Sequence, residues 1–149
     1  MDATTDPVEA LRDRLAIEEV LVRYCDAIDG RDFALLGRVF TPDAVLDYTA
    51  SGGPRGRLPE VRDWLERALA PFELIQHVIG NLRVELDGDR ARSRCYFTNP
   101  MGVPGRGRGM NFLCGGIYRD VLVRTPEGWR IAERVNEELY RQVFPPAEG

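Results

Sequence analysis

A chain of 149 residues, 44% hydrophobic and 30% charged with a formal charge of -4, is long enough to bury roughly two-thirds of the surface its unfolded form exposes, and it reads as one domain, residues 1–149. The acidic balance removes the electrostatic case for nucleic acid, and the polar opening MDATTDPVEALRD, with no run of ~20 apolar residues anywhere, argues against a signal peptide or a membrane span. Cysteines at 25, 95 and 114 form no C-x-x-C pair, so neither a disulfide framework nor a zinc site is suggested; they read as small core hydrophobes in a reducing cytoplasm.

Asp6 and Pro7 start a helix in which Val8, Leu11, Leu15, Val20, Leu21, Tyr24 and Ile28 recur at helical spacing until Gly30 ends it. RDFALLGRVF places Phe33, Leu36, Val39 and Phe40 on one face of a short second helix, closed by TPD. AVLDYT, residues 44–49, alternates as a strand until SGGPRG breaks it. LPEVRDWLERALAPF then gives Val61, Trp64, Leu65 and Leu69 the spacing of a third amphipathic helix, stopped by Pro71.

From Leu74 the period becomes two. LIQHVIGNLRVEL, the turn DGDR and ARSRCYF predict one hairpin; MNFLCGGIYRDVLVRT and WRIAERVNEELY around TPEG predict another, with a bulge or bend at Gly115 and Gly116. GRGRG, residues 105–109, reads as a surface loop rather than a phosphate site. Three helices followed by an antiparallel meander imply an α+β fold in which the helices cover one face of a single sheet, and curving that sheet would leave a pocket.

Few polar residues fall where that pocket lies. His77 is the only histidine; among apolar neighbours it is either a packed core residue or a base whose second nitrogen is held by a carboxylate. Asp29 ends the first helix, where a carboxylate opposes the macrodipole, and Asp26 lies one turn earlier; both also suit a solvated position. Tyr24 and Tyr48 sit on apolar stripes, as packing residues or as hydroxyl donors to a carbonyl oxygen. Asn99 continues the inward parity of Ala91 to Phe97. Arg134 either binds an anionic group or, the preferred reading, pairs at the surface.

RYCDAIDGRDFALLGRVFTPDAVLDY, IQHVIGN and GGIYRDVLVRTPEGWRIAER together resemble the SnoaL-like branch of the nuclear-transport-factor superfold, in particular scytalone dehydratase, hexachlorocyclohexane dehydrochlorinase and the bile-acid dehydratases. The resemblance covers almost the whole chain. It implies a cone-like α+β barrel, no metal or organic cofactor, and a homo-oligomer, a trimer before a dimer. Carried over by position, the catalytic aspartate falls on Asp29 rather than Asp26 and the catalytic histidine on His77. Tyr48 matches a tyrosine that contacts the substrate carbonyl, Tyr24 a pocket tyrosine, and Arg134 lies near a C-terminal arginine. The second pocket histidine of scytalone dehydratase is missing, with Asn99 or Thr98 nearest, which argues against scytalone itself as substrate. The expectation is a cofactor-independent dehydratase-like lyase. Asp29, His77 and Tyr48 would be catalytic, with Tyr24, Asn99 and Arg134 binding a hydrophobic cyclic substrate such as a polyketide or steroid. The alternatives are an isomerase or polyketide cyclase using the same pocket, and a non-catalytic small-molecule-binding protein.

Overall fold

The computed structural model describes residues 6–105 and 109–145; the middle of the GRGRG loop, residues 106–108, and the first five residues of the acidic opening lie outside them. Helix α1 (Pro7–Asp29) begins as the sequence predicts: the Asp6 side chain accepts from the Val8 amide at 3.0 Å, with Pro7 in the first turn. Its buried stripe runs from Ile17 to Ile28, whereas Val8, Leu11 and Leu15 of the same stripe remain more than half exposed. Gly30 stays right-handed at its end and Arg31 takes the left-handed turn, φ 56°. Arg31 then donates from Nη1 to the Leu69 carbonyl at 3.1 Å and from Nη2 to the Phe72 carbonyl, fastening the end of α1 to the end of the helix α2 (Leu58–Leu69).

The predicted second helix is a 3₁₀ helix, Phe33–Arg38, capped by Asp32; one short segment gains little from the α pattern, and its bonds run i to i+3. Strand β1 (Phe40–Asp47) starts earlier than expected and takes in the TPD segment as an irregularity, since Pro42 has no N–H to give to a ladder. Tyr48 follows the strand as the cap of a single 3₁₀ turn. A short strand, β2 (Arg55–Arg57), occupies the predicted breaker and pairs back on β1.

The remaining strands are β3 (Leu74–Ile75), β4 (Val78–Asp87), β5 (Arg90–Gly102), β6 (Phe112–Thr125) and β7 (Gly128–Val143). Their order is β2-β1-β7-β6-β5-β3, with β4 also on β5. Every pairing is antiparallel except β1 with β7, which is parallel, so the expected cone-like α+β sheet is mixed rather than wholly antiparallel. The reason is topological: β1 arrives after a helix hairpin, so no tight turn dictates its direction.

Register arranges the concave face in rows. From mouth to closed end they run Met101–Phe112, then Asn99–Cys114–Arg141, Phe97–Gly116–Glu138, Cys95–Tyr118–Asn136, Ser93–Asp120–Arg134 and Ala91–Leu122–Ile131. The last row is sealed against α1 in the main core. Three one-residue bulges decide which side chains enter these rows: two residues of β4 (81 and 82) oppose Cys95, and β7 carries an extra residue at Ala132 and another at Leu139. The last of these lies opposite Gly115 and Gly116, where a bulge is expected. A Cβ on Gly116 would lie 1.8 Å from the Glu137 carbonyl oxygen, so the backbones meet there only because the side chain is absent.

Candidate active site

Between the curled sheet, α1 and α2 lies a cavity of about 290 Å³. Its walls are mainly apolar, with Trp64, Leu65 and Leu69 from α2 facing Phe97, Met101 and Phe112 from the sheet. Its size is that of a small-molecule site, at the lower end of the usual range.

His77 enters this cavity because its strand is broken twice. Residues 76 and 77 lie between β3 and β4, and the bulge past Gly80, where Asn81 adopts φ 53°, shifts the phase of alternation. Counting inward positions back from buried Val84 would turn His77 outward; the extra residue turns it and Ile79 inward instead. The register of Ile75 with Met101 and Val78 with Thr98 sets His77 opposite Asn99.

Asp29 meets His77 twice. Its Oδ1 lies 2.6 Å from Nδ1, and its Oδ2 accepts the His77 backbone N–H at 2.8 Å, an amide freed by the gap between β3 and β4. An ionised carboxylate can only accept, so Nδ1 carries a proton, and in the neutral ring Nε2 is the nitrogen with the lone pair. The His77 side chain is nearly buried while Asp29 is about a quarter exposed. Asp26, the other candidate, points into solvent. The two residues are 48 apart in sequence, and they meet through the Arg31 tether that brings the last turn of α1 to the cavity.

Beside His77, whose ring meets that of Tyr24 edge to face at 6.1 Å, stand two tyrosines in contact: the Tyr24 and Tyr48 hydroxyls are 2.7 Å apart. Burial holds Tyr24 well above the ordinary tyrosine value and raises Tyr48 too, so both are neutral hydroxyl groups. Tyr118, which the sequence reading did not single out, joins them; burial also raises it well above the ordinary range, and its ring stacks on Phe97 at 4.2 Å. The only sequence signal for it is parity with Cys114 across two glycines.

The expectation that Arg134 pairs at the surface is overturned, and it does not line the cavity either. It lies beneath the tyrosines, fully buried, its Nε and Nη2 donating to the two Asp120 oxygens at 2.7 and 2.8 Å. Its guanidinium sits 4.2 Å from the Tyr24 ring and 4.1 Å from the Tyr118 ring. Burial works against the charge, but Asp120 outweighs it and holds Arg134 protonated. The cause of the misreading is the bulge at Ala132: Trp129 and Ile131 face inward, then the phase shifts and Arg134 and Asn136 do.

Asn99 is buried and lines the cavity as its parity suggested. Four further polar residues belong to the same cavity and were not anticipated: Ser51, Asn136, Glu138 and Arg141. The three cysteines are buried thiols as expected, with Cys25 pushed up to about 12 and Cys95 and Cys114 to about 11 by burial, so none is a thiolate at neutral pH. Among the described residues no group of three or more His, Cys, Asp or Glu side chains is placed to hold a metal ion, and no helix is long and apolar enough to cross a membrane.

Comparison with known proteins agrees with this architecture. An uncharacterized protein of Mycobacterium tuberculosis, Rv2910c, is 44% identical over 144 residues, which cover 97% of each chain. The structure of Kfla4162 from Kribbella flavida superposes with a TM-score of 0.81 at 28% identity, covering 89% of this chain and 95% of that one. Hexachlorocyclohexane dehydrochlorinase LinA-type3 from Novosphingobium barchaimii gives 0.78 at 18% identity, covering 93% and 94%; at that identity the likeness is one of fold. The SnoaL-like domain model matches residues 9–135, a span that contains both helices, the His77 segment and most of the sheet, and the chain therefore belongs to the SnoaL-like domain family.

Proposed function

We propose that the protein is a cofactor-independent lyase acting on a hydrophobic cyclic carbonyl compound. Nε2 of His77 removes a proton alpha to the carbonyl, and Asp29 holds the tautomer and stabilises the imidazolium that forms. The Tyr48 hydroxyl, backed by Tyr24, donates to the carbonyl oxygen as enolate charge develops, and the buried Arg134 cation beneath the rings favours that charge. His77 then returns its proton to a hydroxyl leaving from the beta carbon, which departs as water; a halide would leave without it. Asn99, opposite His77 on the next strand, contacts the substrate beside the reacting carbon.

The observation that carries this reading is the 2.6 Å contact between Asp29 and Nδ1 of His77, a residue that lines a largely apolar cavity together with two neutral tyrosines whose hydroxyls meet. The fold is also that of a dehydrochlorinase. Purified wild-type and His77→Ala protein incubated with cyclic β-hydroxy ketones in deuterated water test it by mass spectrometry. Water loss confined to wild type is the expected result. Deuterium uptake without elimination would move the assignment to an isomerase or cyclase, and neither reaction, with ligands still raising the melting temperature, would make the domain a binding protein.

A further inference from the structure

The cavity has a second polar pole whose hydrogen bonds can be followed in order. Arg141 donates from Nε and Nη2 to the two Glu138 oxygens at 2.7 and 2.8 Å. Ser51 Oγ lies 3.0 Å from Glu138 Oε2, and Asn136 Nδ2 lies 2.8 Å from Ser51 Oγ. Arg141 beside it holds the Glu138 carboxyl below its ordinary value, so Glu138 is an acceptor only. The single Ser51 hydroxyl proton must therefore go to Glu138, and Ser51 can only accept from Asn136. That fixes the Asn136 amide with its nitrogen toward Ser51. Its oxygen, on a residue only 5% exposed, is left with no protein partner.

An unpartnered buried acceptor is expensive, and a network that orients it so fully implies a partner from outside the protein. We infer that Asn136, oriented through Ser51, Glu138 and Arg141, accepts a hydrogen bond from a hydroxyl group of the substrate at a site remote from the reacting carbon. Asn99 also has an unpartnered buried amide oxygen, but no neighbour fixes which end of that amide faces inward. Asn136 lies on β7, three strands from His77 and two rows deeper, or about 14 Å across the strands and about 13 Å along them on a flat sheet, and less across its curl. A ligand that reaches both is a fused or extended ring system with its reacting carbon at His77 and an alcohol or phenol at the Asn136 pole, beside Tyr118. A ligand with an ether or a second carbonyl there would leave two acceptors facing each other. The inference rests on the catalytic reading only in taking this cavity as the substrate site.

Three probes of one shape test it: 2-tetralone, 6-hydroxy-2-tetralone and 6-methoxy-2-tetralone, bound to the full chain by calorimetry, with deuterium exchange at the ring carbon alpha to the carbonyl followed separately. In wild type the hydroxyl compound should bind roughly tenfold more tightly than the methoxy compound, the effect of one hydrogen bond to an otherwise unpaired acceptor. That ratio should fall to about one in Asn136→Ala, and should shrink in Ser51→Ala, where the amide is free to turn. Ser51→Ala serves alone should Asn136→Ala not fold. His77→Ala should keep the ratio and lose the exchange. Equal binding of the two compounds by wild type, binding of none of the three, or an unchanged ratio in folded Asn136→Ala overturns the inference. A full ratio without His77-dependent exchange leaves the hydroxyl site standing and removes the lyase.

Discussion

Two pairs of a carboxylate with a nitrogen base both touch the ring of Tyr24, and their surroundings assign them different work. Asp120 and Arg134 are both fully buried, and both Asp120 oxygens are engaged by one guanidinium. The third guanidinium nitrogen, Nη1, is buried without a hydrogen-bond partner, and neither residue lines the cavity. His77 stands at the cavity instead, with one ring nitrogen uncommitted and the other held by a partly wet Asp29. A pair sealed away from the cavity contributes structure; a pair that presents an uncommitted ring nitrogen at the cavity is equipped for proton transfer.

Breaking the deep pair should have the largest effect. Arg134→Met leaves Asp120 charged and unpaired in the core and is expected to cost about 3–5 kcal/mol in urea unfolding; adding Asp120→Leu should recover much of that loss, since an apolar pair of similar volume is tolerated. A double variant no more stable than the single one would mean that Arg134 is needed for more than neutralising Asp120.

At the open pair the expectation reverses. Asp29→Asn keeps a side-chain acceptor for the His77 backbone amide but cannot hold the imidazolium, so proton transfer should fall by about 10²-fold or more while unfolding changes by no more than ~1–2 kcal/mol. Equal losses in rate and stability would erase the contrast between the pairs. Asn81→Val, which forces a branched side chain into a left-handed conformation at the bulge that aims His77, should cost about 1–3 kcal/mol, and Asn81→Gly little. The smallest effect concerns the Glu138 pole. Its carboxyl is depressed by Arg141, so its contribution is fully present above the ordinary glutamate value and is lost as pH falls through the lower folded value. Unfolding followed below pH 4.5 should show a shallow acid loss that Glu138→Gln removes.

Elements with a strong period were legible in the chain: α1, α2 and the two hairpins appear where alternation and helical spacing place them. So were His77, Tyr24, Tyr48 and Asn99 as residues of one cavity, and Asp29 as the carboxylate that holds His77, apart from the uncertainty between Asp29 and Asp26. Arg134 was misread because its face depends on a one-residue bulge at Ala132 that no turn or glycine announces. Ser51, Asn136, Glu138 and Arg141 escaped for a related reason. Ser51 sits in a Gly/Pro-rich breaker, and parity counted from Trp129 assigns Asn136 and Glu138 to the wrong face past Ala132, until the second shift at Leu139 restores it for Arg141.

The amino-acid order by itself determined the local units, because side-chain period, caps and turn residues act over a few positions. It also supplied one histidine and the acids near the end of α1 that could serve it. The tertiary structure alone decided that Asp29 grips both the ring and the backbone of His77, that Arg134 lies under the tyrosines, and that Asn136 keeps a free oxygen. Those outcomes depend on strand register, and a single inserted residue in a ladder exchanges the two faces of everything beyond it.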